Sequence, residues 1–399
     1  MSITDDARAM HEDLVRLRHA LHAEPEVGLS LPRTQEKVLA ELDGLPLEVT
    51  TGAALTSVTG VLRGGKPGPV VLLRGDMDGL PVAERSGVDY ASRVDGAMHA
   101  CGHDLHTTML IGAARLLAAR RAELAGDVVF MFQPGEEGWD GAGAMLAEGV
   151  LDAAGRRPDA AYALHVTSSV LPHGTFSARP GPTMSASDAL TVTVKGAGGH
   201  GSAPYLAKDP VPAACEMVTA LQTLVTRRFD PFDPVVVTVG SFHAGTRRNV
   251  IPDAARFEAT VRSFSRESRT RLEGTVVQLI KSIAVAHGLE VDVEYTEEYP
   301  LTVTDPAETT FARGTVTEVF GEHRFQPMRS PHTASEDFSR VLDEVPGSFL
   351  LLGACPPGSD PADAPYNHSP RAIYDDAVLS DGAALYAELA TRRLATPAA

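Results

Sequence analysis

The chain is 399 residues long, beyond the size at which one hydrophobic core usually keeps growing, so two domains are expected. Its 43% hydrophobic and 22% charged residues are those of a folded globular protein and exclude a disordered one. A formal net charge of -17 argues against nucleic acid and anionic membrane as partners and leaves small molecules.

In chain order, residues 10–21 have helical spacing, 35–42 read as a second helix, and Val70-Val71-Leu72-Leu73-Arg74 reads as a buried strand running into Asp76-Met77-Asp78-Gly79. A long helix is expected over 105–117, a continuous apolar strand over 127–132 that Gln133-Pro134-Gly135 halts, and a further strand over 160–166. Apolar strands alternating with helices imply an α/β fold, with a mainly parallel sheet sandwiched by helices and ligands beyond the carboxyl ends of its strands. From about residue 187 the pattern becomes strand 189–194, helix 211–227, strands 235–242 and 255–264, helix 268–287 and strand 290–295. That order, β-α-β-β-α-β, is an α+β unit with helices on one face, so residues 187–298 read as an insertion between 1–186 and 299–399. The last part supplies a helix over 311–320, a strand over 348–353 and a helix beginning near Ser380.

Three scattered cysteines, at 101, 215 and 355, argue against a disulfide framework and for a reducing compartment. Residues 1–18 carry Asp5, Asp6, Glu12 and Asp13 and so lack the apolar core of a signal peptide; no other run is long and apolar enough to span a bilayer. A cytoplasmic location is expected.

Four polar islands supply metal-binding side chains beside apolar elements: His99 to Asp104, Gln133 to Glu137, Leu164-His165, and Asn367 to Pro370. Cys101 and His103 flank one glycine, and thiolate with imidazole suits zinc and other transition metals better than magnesium or calcium. Glu136 and Glu137 are consecutive, so their side chains are expected to diverge, one binding metal while the other holds water. Two adjacent buried carboxylates would repel each other, and a cation is the natural compensation. His165 ends a strand and His368 lies in a loop; singly each reads as structural, and the signal is the set. Asp76 and Asp78 could be ligands, carboxylates that orient histidines, or turn residues; Asp78 is expected to orient a histidine and Asp76 stays open. In the insertion, Gly198-Gly199-His200-Gly201-Ser202 is a permissive loop presenting an imidazole, or a simple bulge. Asn249 and Arg262 could bind an oxyanion or carboxylate, or cap a turn and cover a sheet edge. The remaining histidines, His22, His99 and His106 among them, read as structural or surface residues.

These motifs, with Asp76-Met77-Asp78, Leu80-Pro81, Asn249 to Asp253, Val261-Arg262 and Ser335-Glu336-Asp337-Phe338, resemble the amidohydrolase branch of the aminoacylase and carboxypeptidase G metallopeptidase superfamily. That branch includes hippurate hydrolases, auxin-conjugate hydrolases and N-acyl amino acid deacetylases. The resemblance runs from Leu21-His22 to His368-Ser369-Pro370. It implies a two-metal centre in each subunit, with Cys101 bridging, His103, Glu137, His165 and His368 completing the ligands, and Glu136 as general base. Zinc is suggested by the thiolate and manganese by the relatives, with cobalt or nickel as substitutes. The resemblance also implies a homodimer through the inserted domain, which forms part of the active-site wall, with His200 reaching the partner's site. One departure is Tyr205 after Pro204, where relatives often have histidine; it bears on acyl or leaving-group preference. The implied activity is hydrolysis of the amide bond of a small N-acyl amino acid. Alternatives are a metallo-dipeptidase or aminopeptidase, which would have to recognise a free amine, and a non-catalytic metal-binding dimer.

Overall fold

The computed structural model describes residues 2–396. Its contacts divide the chain into two compact units: Met1–Thr183, Val303–Ser330 and Asp337–Ala399 form one, Met184–Thr302 and Pro331–Glu336 the other.

The first unit is built on an eight-stranded sheet. Its N-terminal strands are β1 (Leu47–Thr51), β2 (Val58–Leu62), β3 (Lys66–Asp76), β4 (Ala125–Gln133), β5 (Ala160–Thr167) and β6 (Phe176–Ala178). Across the sheet the order is β1, β2, β4, β3, β5, Gly347–Gly353, β6, Phe325–Pro327. The four central strands run parallel, β2 pairs antiparallel with β4, and β1 pairs antiparallel with β2. Both faces of the centre are covered, which is why Val70 to Leu73 and Val128 to Phe132 are continuous apolar runs with no alternation. By contrast β1, Leu-Glu-Val-Thr-Thr, is an exposed edge strand with little apolar signal.

The helices are α1 (Ile3–Ala9), α2 (His11–His22), α3 (Pro32–Leu42) and α4 (His103–Ala118), with Pro306–Phe320 and Val378–Ala395 toward the C-terminus. Ser2 and Asp5 start α1 with a reciprocal capping box. α4 is buried on almost all sides because α2, β3 and the Val378–Ala395 helix pack around it, so its sequence is apolar from Met109 to Ala118 apart from Arg115. Among the described residues no helix is long and apolar enough to cross a membrane.

The second unit is a four-stranded antiparallel sheet in the order Val235–Ala244, Ala254–Ser263, Ala186–Lys195, Glu290–Tyr299. In Ala254–Ser263, Ala255, Phe257, Ala259 and Val261 turn inward while their neighbours face solvent, the period-two pattern of a half-covered sheet. Helices Pro210–Arg228 and Arg266–Ala286, capped by Asp209 and Ser265, bury Met217, Leu221, Leu272, Val276 and Ile280 in the same core.

Candidate metal centre

The central parallel strands end where the polar islands begin. β3 delivers Asp76 and Asp78, β4 delivers Glu136 and Glu137, β5 carries His165, and the N-terminus of α4 carries Cys101 and His103. Gly102 between the last two has φ 85, and a Cβ there would stand 2.4 Å from Val166 Cγ2. A glycine is required for Cys101 and His103 to flank that contact.

Among the sets of donor atoms that lie within 4.8 Å of one another are Cys101, His103 and His165; Cys101, Glu137 and His368; His103, Glu136 and Glu137; and Asp76, His103 and His106. Cys101 Sγ stands 3.4 Å from His165 Nε2, and His368 Nε2 stands 3.0 Å from Glu137 Oε1. The expected divergence of Glu136 and Glu137 is therefore limited. The turn that donates Gly138 N–H to Glu136 carbonyl at 2.8 Å brings both carboxylates within reach of His103.

Backbone and side-chain contacts orient the donors. His165 Nδ1 donates to the Val166 carbonyl at 2.8 Å, which leaves Nε2 with its lone pair toward Cys101. Asp78 accepts from the Glu136 and Glu137 amides at 3.0 and 3.1 Å. It also lies 3.3 Å from His103 Nδ1, an ion-pair distance whose angle misses a hydrogen bond. Asn367 joins three segments: its Oδ1 accepts from Ser168 N–H at 3.0 Å, and its Nδ2 donates to the Val166 and Cys101 carbonyls at 3.1 and 3.3 Å. The next residue, His368, sits at φ 70, a conformation a non-glycine residue keeps only where its surroundings impose it.

Asp76 is not available to a metal in the same way. Its Oδ2 pairs with Arg74 at 2.6 Å and its Oδ1 with His106 Nδ1 at 2.5 Å, while His106 Nε2 accepts the Val166 amide at 2.8 Å. His106 is thus a neutral tautomer wedged between two backbone-anchored groups, with its pKa lowered chiefly by burial. A second buried network stands behind α4. Asp104 takes Arg18 and His22 at 2.8 Å each, and Arg18 reaches Asp376 at 2.9 Å. The roles of Asp104, Arg18, Arg74, Asn367 and Asp337 appear only once the chain is folded. Asp104 and Asn367 lie in the polar islands and Asp337 in the Ser335 to Phe338 motif, and Arg74 stands out as a charge inside the apolar run of β3.

Electrostatically the cluster attracts positive charge. Burial opposes protonation of His103, but Asp76, with Asp78 and Cys101, outweighs it and holds its pKa well above the ordinary value. His368 is raised to about 10 by Cys101 and then Glu137. Glu137 is lowered, the His368 and His103 contacts overcoming burial. His165, mostly buried, is held well below, which keeps it neutral and ligand-competent. Thiolate, imidazole and carboxylate converge where cations are stabilised, with both buried His103 nitrogens left without hydrogen-bond partners, and this donor set fits divalent transition metal.

The second unit holds His200, Asn249 and Arg262. His200 Nδ1 accepts from Ser202 N–H at 3.1 Å and faces Ser202 Oγ at 2.8 Å, so its proton resides on exposed Nε2. Asn249 is an exposed turn residue whose carbonyl accepts Gly201 N–H at 2.9 Å. Arg262, half-buried on an inner strand, donates to Ser335 Oγ at 2.8 Å, and burial lowers its pKa.

A model of peptidase family M20/M25/M40 matches residues 72–392, and the chain belongs to that family. It is a hydrolase of linear amide C–N bonds that uses divalent metal. It is 35% identical over 395 residues to thermostable carboxypeptidase 2 of Saccharolobus solfataricus, covering 98% of each chain. It is 33% identical to the hippurate hydrolase of Campylobacter jejuni, over 99% of this chain and 100% of that one. A Bacillus subtilis dinuclear metal-binding peptidase of the M20 family superposes with a TM-score of 0.82 at 31% identity, over 98% of this chain and 99% of the other.

Proposed function

We propose that the protein hydrolyses N-acyl amino acids to a carboxylic acid and a free amino acid. The observation that carries this reading is the presence of Glu136 among the donors of Cys101, His103, Glu137, His165 and His368, a second carboxylate beside the one that meets His368. In this reading two divalent ions, zinc or manganese, would be held by those five residues, a reading that the dinuclear relative's name supports. When bound, the ions supply Lewis acidity that acidifies water and polarises the amide carbonyl. Glu136 takes the proton of the attacking water and passes it to the leaving nitrogen as the C–N bond breaks, so the amine departs neutral. Asp78 fixes the Glu136-Glu137 backbone and faces His103, which holds base and ligand in one geometry. His200, protonated on Nε2, donates to the carbonyl oxygen as charge develops there. Arg262 and Asn249 read the substrate's α-carboxylate, which a guanidinium fork matches. The protein works as a homodimer through its second unit, in a cytoplasm that keeps its three free cysteines reduced.

Three measurements test this reading. N-acyl amino acids should be cleaved, and their carboxamide or methyl-ester counterparts should lose on the order of 2–5 kcal/mol of transition-state binding, because the half-buried Arg262 guanidinium loses its carboxylate partner. Arg262→Ala should narrow that gap. Acids and esters cleaved alike would leave a general amidase, and turnover only of substrates with a free amine would make it a dipeptidase. Alkylation mapped by mass spectrometry should mark Cys101 much faster after chelation than before, since a ligand thiolate is shielded; equal labelling removes it from the ligand set. Finally, mixing His200→Ala with Glu136→Gln subunits should restore some activity if His200 serves the partner's site. Mixed dimers that form and stay inactive rule that out.

A further inference from the structure

Among the described residues, the first unit exposes five large apolar side chains: Val27, Val49, Trp139, Val170 and Tyr366. Val49 lies on the edge strand β1, but the other four belong to the segments that carry the metal centre. Trp139, 55% exposed, follows Glu137 by two residues; Tyr366, 49% exposed, precedes His368 by two, and Glu137 and His368 meet at 3.0 Å. Val27 bridges to Gly79, beside Asp78. Val170, 53% exposed, follows His165 on a loop tied to the His368 segment by the bond from its own N–H to the Pro361 carbonyl at 2.8 Å.

Two of these side chains are held in place at a cost. Val170 has φ 60, a strained conformation for a β-branched residue, and yet it turns its side chain to solvent instead of into the core. The Trp139 indole is seated on a backbone shaped for it: a Cβ on Gly28 would lie 3.2 Å from its Cε2, and one on Gly135 would lie 3.1 Å from its Cβ. One part of the ring is packed and the rest is offered outward. Scattered exposed apolar residues are ordinary, but four on segments that carry or adjoin the donor residues, one strained and one seated, mark a contact surface.

We infer that Trp139, with Val170 and Tyr366, forms the acyl subsite of the metal centre and selects substrates whose acyl group is aromatic, with Trp139 as the specificity-determining residue. This rests on the reading of the protein as an N-acyl amino acid hydrolase. The rim side chains carry no charge, so they suit the uncharged acyl end and not the end that bears the α-carboxylate. A half-exposed indole offers a flat π-face, which an aromatic acyl group covers and an acetyl group does not reach.

Trp139 is the chain's single tryptophan, so the emission of the metal-loaded enzyme reports on this residue alone. Titration with benzoate should shift or quench that emission, whereas acetate at equal concentration should not. Trp139→Ala should lower kcat/KM for N-benzoylglycine by about tenfold or more, leave N-acetylglycine within about twofold, and Trp139→Phe should recover most of the loss. Equal losses on both substrates, no loss on either, or emission indifferent to benzoate overturns the subsite. Should the loaded enzyme cleave neither amide, the N-acyl hydrolase reading fails by itself, and the benzoate titration still decides whether the rim binds aromatic acids.

Discussion

Glu136→Gln should retain its bound metal and lose roughly 10²–10⁴-fold in kcat, the usual worth of a positioned general base, while Glu137→Ala should lose the metal itself. The two carboxylates are sequence neighbours held by one aspartate, so a difference between them isolates chemistry from architecture. Glutamine keeps the size of Glu136 and its contact with the Asp337 amide, 3.4 Å away, but cannot take a proton. Alanine at 137 removes the oxygen that meets His368 at 3.0 Å and comes within 4.0 Å of His103. Elemental analysis beside steady-state kinetics separates the two outcomes; an active Glu136→Gln enzyme would falsify the assignment of the base.

Arg74→Leu should destabilise the first unit by about 3–5 kcal/mol, the range found when one partner of a buried ion pair is removed. Arg74, Asp76 and Asp337 are completely buried, and the guanidinium serves both carboxylates, at 2.6 and 3.1 Å, as well as Gln133 at 2.8 Å. Leucine leaves two carboxylates in the core without their cation. Burial works against the Asp76 charge, but Arg74 foremost, then His103 and His106, hold its pKa well below the ordinary carboxylate range. In the wild type this stabilisation is present above the unfolded pKa and fades as pH falls. In the variant the folded pKa rises, so protonation relieves the strain in acid. The stability gap should therefore narrow as pH falls, readable as converging denaturation midpoints. Arg157→Ala, which breaks an exposed pair with Glu344, is the control and should leave the denaturation midpoint essentially unmoved.

The elements most legible in the sequence were those whose burial leaves a strong pattern. Val70 to Leu73, Val128 to Phe132 and the alternation of Ala255 to Val261 each announce a covered strand, and α4 stands out by length. Its true start at His103 lies two residues earlier than apolar periodicity suggests, because the first turn is buried through the polar groups His103 and Asp104. β1 and β2 were invisible for the opposite reasons: the first is an exposed edge, and the second is a five-residue run too short to distinguish from a loop. For the candidate centre, residue chemistry was readable and mutual geometry was not. Nothing local tells that Asp76 spends both oxygens on Arg74 and His106, that Asn367 ties down three backbone segments, or that Trp139 lies across Gly28. Each depends on residues that meet only through the fold.

The place of Gly347–Gly353 in the large sheet has a consequence for how the molecule is made. This strand lies between β5 and β6, parallel to one and antiparallel to the other, although the intervening chain holds the whole of Met184–Thr302. On the ribosome, the residues of the inner four-stranded sheet emerge complete while β5 still lacks its neighbour. The later segment can mature first, and the earlier one must wait with an open strand edge until about 180 further residues have been synthesised, by the residue positions alone. His368 arrives later still. The donor set that would hold metal is therefore complete only in the finished chain, and the nascent protein passes through an interval in which the apolar edge of β5 is unguarded, the interval in which a chaperone has most to do.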